Sequence, residues 1–447
     1  MEFLAVQGKA PTHAMRYEDH DHSGGPARQA THRTRVRRRS ATGLAGAAGL
    51  ALALVGLAVV PAAGGVGRAA TGADEQKWPK GATVACDADA LIAAITSANA
   101  TGGGVFDLAE KCTYLLTADI DGAGLPAIVT PITLNGGKNT TIERDAAADQ
   151  FRIFTVNTGG DLTLNHLKVT GGQTAEDGGG IFVAAGGALT LEQSRIVRNI
   201  SAQEGGGIRN AGTATVAHSH IERNTAGASG GGVASTGAFE LRSSSVGENV
   251  SANGGGISSA GAVVIGRSTI TGNRATSVIG GGLLATGGSA LLTDSHVLRN
   301  SSNTEGAGVV AISVQLHLRR VVIADNAARS GGGGLIINNT SSATVQQGLI
   351  KGNTANTDGG GVFNAGALAL FGTEIRGNQA TRGGGVHNDA VGAVTLYGAT
   401  IKKNVAVADG GGVFNEAGGT VELNTATGTV VIENRPNNCV NVAGCPG

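Results

Sequence analysis

From residue 173 onward, apolar and polar residues alternate in short runs, as in "ALTLEQSRIVRN" (188–199) and "AVTLYGATIKKN" (393–404). A period of two belongs to strands with one buried face, not to helices. The pattern is also periodic on a larger scale. A Gly-Gly-Gly triplet (Gly-Ala-Gly at 306) followed by Ile, Val or Leu begins at 178, 205, 230, 254, 280, 306, 332, 359, 383 and 410, a spacing of 24 to 27 residues. Each unit closes on an asparagine: Asn199, Asn224, Asn249, Asn273, Asn300, Asn326, Asn353, Asn378, Asn404 and Asn434, with Ile or Val three residues earlier.

A unit this short cannot bury its own apolar face, so neighbouring units must stack. The pattern predicts an all-β chain: a right-handed parallel β-helix of three-strand coils, about 26 residues per coil. The aliphatic columns fill its interior. The asparagines suit left-handed turns and can bond from coil to coil. The glycines permit a bend and close approach of adjacent coils. The only helical stretch is "DADALIAAITSAN" (87–99), with Asp87 or Asp89 as N-cap and Leu91, Ile92 and Ile95 on its apolar face. It is expected to cap the N-terminal end, where an open solenoid would expose strand edges.

Organisation follows from these signals. Residues 1–72 read as a basic N-region and export signal: Arg33 to Arg39 hold five arginines, then comes the apolar "ATGLAGAAGLALALVGLAVVPAAGG", with cleavage expected near Ala63 or Ala69 and a start at Met1 or Met15. Residues 73–118 form a linker and cap, 119–172 the lead coils, 173–434 the ten glycine-triplet coils and 435–447 a closed tail. Four cysteines in an exported chain point to disulfides, the local pairs being Cys86–Cys112 and Cys439–Cys445. The protein is expected to be secreted or at the cell surface, free of the membrane after signal cleavage, and a monomer.

Composition narrows the function. The 76 glycines far exceed the usual share of about 7%, without a collagen period. Formal net charge is zero, and a neutral body without a basic stripe is a poor nucleic-acid binder.

The pairing of "GGG[I/V/L]" with "[I/V]-x-x-N" resembles the repeat of polymorphic outer membrane proteins. The lead segment "VACDADALIAAITSANATGGGVFDLAEKCTYLLT" (84–117) is similar to secreted actinobacterial right-handed β-helix proteins. The Arg and Glu common near the start of those proteins are absent from "CDADALIAAI". The resemblance covers nearly the whole mature chain and implies the pectate-lyase-like superfamily fold, not an activity. No barrel pattern follows the last coil, so self-transport through an outer membrane is not expected.

Several chemical readings can be weighed. Polygalacturonases resemble one another in an Asn-Thr-Asp, an Asp-Asp, a Gly-His-Gly and an Arg-Ile-Lys. Only Asn356-Thr357-Asp358 is present, and no Asp-Asp pair exists to supply a second carboxylate. The glycines lead into strands, not into a helix with Lys and Ser/Thr, so they are no phosphate loop. No cofactor is expected. Calcium between Asp177 and Glu204, neighbours in adjacent coils, is the one cation site to test. His218 and His220 share a strand face in "AHSHIERN" and read as surface histidines.

One group departs from the earlier repeats. Alternation places Phe363, His387 and Phe414 outward in a ladder, followed by Asn364, Asn388 and Asn415 and flanked by Asp358, Arg382 and Asp409. Aromatic faces beside charges suit a groove for sugar or peptide. The sequence therefore points to a non-catalytic solenoid presenting a face to polysaccharide, cell wall or a surface protein. The alternatives are a polysaccharide lyase or glycoside hydrolase of the pectate-lyase-like group, and a purely structural surface protein.

Overall fold

The structure, a computed structural model, describes residues 80–446. The export signal expected at 1–72, and its cleavage site, lie outside the described residues. Among the described residues no helix is long and apolar enough to cross a membrane.

The chain forms a parallel β-solenoid of about 14 turns. One coil illustrates the course: Val362–Asn364, Ala367–Phe371, Glu374–Arg376 and Gln379–Arg382. These four strands belong to four sheets, which we call A to D in that order, with 12, 14, 13 and 10 strands among the described residues. The expected three-strand coil is thus corrected. The fourth strand was hidden because most members of sheet D are two residues long, such as Thr354–Ala355, too short to display an alternation.

Strands join in register, with one shift in sheet D between Ala380 and Arg382, so like residues stack. Leu335, Val362, Val386 and Val413 are successive partners in sheet A, and each is fully buried. Leu368 and Leu370 from sheet B, Ile375 from sheet C and Ala380 from sheet D close the same coil around this interior. Sheet B begins earlier than residue 119, since Ala82–Val84 and Gly104–Leu108 already belong to it. At the other end Cys439–Val440 adds a last strand to sheet A, and both local disulfides, Cys86–Cys112 and Cys439–Cys445, are formed.

The asparagine column holds the coils together from within. Asn353 is fully buried. Its side-chain amide donates to Ile323 O at 3.0 Å and to Asn378 Oδ1 at 2.9 Å. Its own Oδ1 accepts from the backbone and side-chain nitrogens of Asn326 at 3.0 and 2.9 Å. The ladder runs so from Asn199 to Asn434. The expected left-handed geometry belongs instead to the residue before each asparagine: Arg223 (φ 57°), Asp325 (φ 56°) and Lys403 (φ 55°). That frees the asparagine side chain to point inward.

Helix α1, Ala88–Thr101, is capped by Asp87, whose side chain accepts from Ala90 N. It buries Leu91, Ile95 and Ala98, while Ile92 is only half-buried. Asn99 Nδ2 ties it to Ala127 O at 2.8 Å.

Candidate functional site

In each glycine-triplet coil the second residue of the sheet A strand faces outward. From the N-terminal side the column reads Phe182, Arg209, Ala234, Ser258, Leu284, Val310, Ile336, Phe363, His387, Phe414. Each lies four residues after the first glycine of its triplet. A Cβ there would collide with the outward residue: one on Gly410 would come 2.6 Å from Phe414 Cβ, one on Gly280 2.9 Å from Leu284 Cβ. The outward side chains therefore fold back onto the glycines. Leu284, Val310 and Ile336 form a second small apolar cluster this way, and Phe363 packs against it.

Phe363, His387 and Phe414 do form the expected ladder. Ring centroids are 5.2 and 5.3 Å apart and the planes lie within 7° of parallel. But the ring faces cover one another. His387 is 1% exposed, and the two phenylalanines are half-buried. Arg382 stacks on Phe414, with its Cζ 5.3 Å from the ring centroid. An open aromatic platform for a sugar ring is not what these residues offer.

The polar groups around the stack are rearranged from the sequence expectation. Asp358, Arg382 and Asp409 are successive register partners, the expected acid–base–acid order, but Arg382 pairs with only one of these two acids. Its Nε donates to Asp358 Oδ1 at 2.8 Å and its Nη1 to Glu416 Oε1 at 3.2 Å. Asp409 turns away, accepting from Asn437 Nδ2 at 2.6 Å and from Gly410 N at 2.9 Å. Asn364, Asn388 and Asn415 point inward and are buried, because alternation returns them to the side of Val362. Their amides bond coil to coil: Asn364 Nδ2 to Asn388 Oδ1 and Asn388 Nδ2 to Asn415 Oδ1, each 2.8 Å. They cannot meet a ligand. Glu416 was missed in the sequence. Its signal was the position after the third strand residue, Ala365 in one coil but Asp389 and Glu416 in the next two.

His387 thus sits between two carboxylates, with Nδ1 3.5 Å from Asp358 Oδ1 and Nε2 3.5 Å from Glu416 Oε1. Nδ1 is buried without a hydrogen bond. Burial pushes the imidazole below its ordinary 6.5; Asp358 opposes this, Arg382 adds to it, and Glu416 and Asp389 oppose it. A depressed histidine binds its proton more readily in the unfolded chain. The folded state is therefore unaffected above pH 6.5 and loses stability as pH falls from there toward the lowered folded value. His387→Phe, which keeps an aromatic ring in the stack, is expected to remove that part of the acid destabilisation. The check is thermal unfolding of both proteins from neutral to mildly acid pH; an identical pH slope would rule the account out.

The calcium expectation meets an occupant. Arg209 Nε lies 3.0 Å from Glu204 Oε2 and 3.5 Å from Asp177 Oδ2, so the chain's own guanidinium takes the position between the acids. Among the described residues no group of three or more His, Cys, Asp or Glu could hold a metal. His218 and His220 are also separated: His218 is a left-handed turn residue (φ 48°) bonded to Glu192 Oε1 at 2.6 Å, and only His220 lies in a strand.

No protein-family model matches the chain, and no curated protein matches its sequence. The chain is similar to the Dettilon tailspike protein at 10% identity and TM-score 0.38, covering 74% of this chain and 63% of that one. It thus spans less than two thirds of the tailspike's length. It is similar to a pectate lyase at 12% identity and TM-score 0.30, over 71% of this chain and 68% of that one. It is also similar to the A-module of a mannuronan C-5 epimerase from Azotobacter vinelandii at 14% identity and TM-score 0.38, over 80% and 95%.

Proposed function

We propose that the protein is a non-catalytic binding solenoid, which presents the Arg382–Asp358–Glu416 cluster to a glycan or cell-wall polysaccharide. The observation that carries this reading is the shared guanidinium. Arg382 holds both carboxylates while its own side chain stays 41% exposed, with Glu416 at 31% and Asp358 at 18%. Fixed donors and acceptors at a surface suit hydroxyl recognition. They suit catalysis poorly, since each carboxylate is already engaged and His387 is sealed between two rings.

On this reading the solenoid winds right-handed, α1 closes its N-terminal end, and the protein works outside the cell as a monomer. Two disulfides support an oxidising location. Burial of Leu91, Ile95 and Ala98 against the first strands supports the capping role.

The test is a glycan and polysaccharide array scored for both retention and cleavage, with and without calcium. Arg382→Ala is expected to weaken the retained ligand at least about tenfold, as loss of a charge-assisted hydrogen bond does. Unchanged retention would remove the cluster from the binding face. Release of new sugar ends would make the protein an enzyme instead.

A further inference from the structure

A second polar region stands at a different corner, where sheet B turns into sheet C near the N-terminal end. A groove of about 710 Å³ is lined there by Lys111, Lys138, His166, Lys168 and Arg195, with Thr113, Asn139 and Gln193 among the neutral residues. We propose that this groove binds a linear phosphate-bearing polymer, a ligand distinct from that of the Arg382 cluster.

The backbone fixes the cations on successive rungs. Lys111 N donates to Lys138 O at 2.8 Å, and Lys168 N to Thr140 O at 3.0 Å. Lys168 pairs in register with Thr141 on one side and Arg195 on the other. Rungs lie about 4.8 Å apart, so four coils offer a charged run of about 14 Å, a local basic stripe not expected from the sequence. Like charges on neighbouring strands destabilise each other.

Few acids relieve this run. Glu222 takes Arg195, and Glu192, on the strand that leads into the groove, takes His218. Glu110 lies against Gly137, and Glu143 stands two positions beyond Thr141 on its strand. Among the described residues Lys111, Lys138 and Lys168 enter no ion pair, in contrast to Arg382 or Arg209. An incoming anion would supply the missing counter-charge.

The kind of anion follows from the cations. Lysine ammoniums are point charges that meet tetrahedral phosphate oxygens from several directions. A planar carboxylate is better matched by an arginine fork, and the one arginine here is already paired. Exposed Thr113, Asn139 and Gln193 add neutral donors between the charges. Several rungs in line favour a repeating ligand over a single ion, because linked contacts reinforce one another.

The experiment measures binding of poly(glycerol phosphate) to the whole secreted protein, beside inorganic phosphate, polygalacturonate and uncharged dextran. The polymer is expected to bind more tightly than any of the other three and to weaken as salt is raised. Lys111→Gln, Lys138→Gln and Lys168→Gln keep a polar side chain, one atom shorter, and remove the charge. Each should cost about fivefold in affinity and the three together about a hundredfold, with Lys351→Gln unchanged. Polymer binding that survives the triple substitution would overturn the site. So would salt-independent binding, absence of binding, or tighter binding of polygalacturonate. Because Arg382→Ala should leave this binding intact, either assignment can fail without the other.

Discussion

Asn353→Ala is expected to destabilise the central coils by about 3–5 kcal/mol. The substitution removes one small side chain but strands several partners. Asn326 loses the acceptor for both its backbone and side-chain nitrogens. Ile323 O loses a donor, and Asn378 Oδ1 loses one of two. All of this happens where water cannot substitute, since Asn326, Asn353 and Asn378 are fully buried. Each unsatisfied buried group costs about 1–3 kcal/mol. The exposed Asn339, changed to alanine, should shift stability by no more than about 0.5 kcal/mol. Denaturant unfolding compares the two, and hydrogen exchange at Asn326 and Asn378 reports whether opening is local, as expected of stacked repeats. A loss below about 1 kcal/mol for Asn353→Ala would mean that the ladder contributes order but little stability.

The same residues show what the sequence made legible. Glycine triplets and asparagines recur at a fixed spacing, so the coil length and the inward columns could be read directly. The direction of the asparagine followed less readily. Its propensity for turns suggested a left-handed backbone, but packing assigns that strain to the preceding residue and spends the amide on the next coil. A second internal ladder leaves no motif in the sequence. Ser194, Ser219, Ser244 and Ser268 each donate a backbone N–H to the hydroxyl of the next coil's serine. The column is broken at Val321, Gly348 and Ala399, so no motif stands out. At the candidate site, period two correctly placed Phe363, His387 and Phe414 on one line. It could not show that the rings fold onto bare glycine backbone and seal His387. Nor could it reveal Glu416, whose partner Arg382 is 34 residues away and is brought near only by the winding of the chain.

Gly360→Ala is expected to cost at least about 3 kcal/mol, at the upper end of overpacking penalties. The usual explanation for a recurring glycine is its freedom at positive φ, but Gly360 does not use it; Gly359 before it does, at φ 67°. What Gly360 provides is proximity. A Cβ there would lie 2.6 Å from Gly384 O and 2.6 Å from the carbonyl carbon of Gln379, both in the next coil. Neither is a side chain that can rotate away. The coils are held at their spacing by hydrogen bonds on every side, including Gly360 N to Gly383 O at 3.2 Å, so relief would require parting two rungs. Gly372 gives the opposite case: φ is 52°, yet nothing lies within 4 Å of an added Cβ. Gly372→Ala should therefore cost only about 1–2 kcal/mol of left-handed strain. If thermal or denaturant unfolding finds the two substitutions equal, backbone conformation rather than close approach explains the triplets. If Gly360→Ala is far worse, the motif that defines the repeat is a spacing device. Its first glycine then serves a separate role, as the bed on which Phe363, His387 and Phe414 lie.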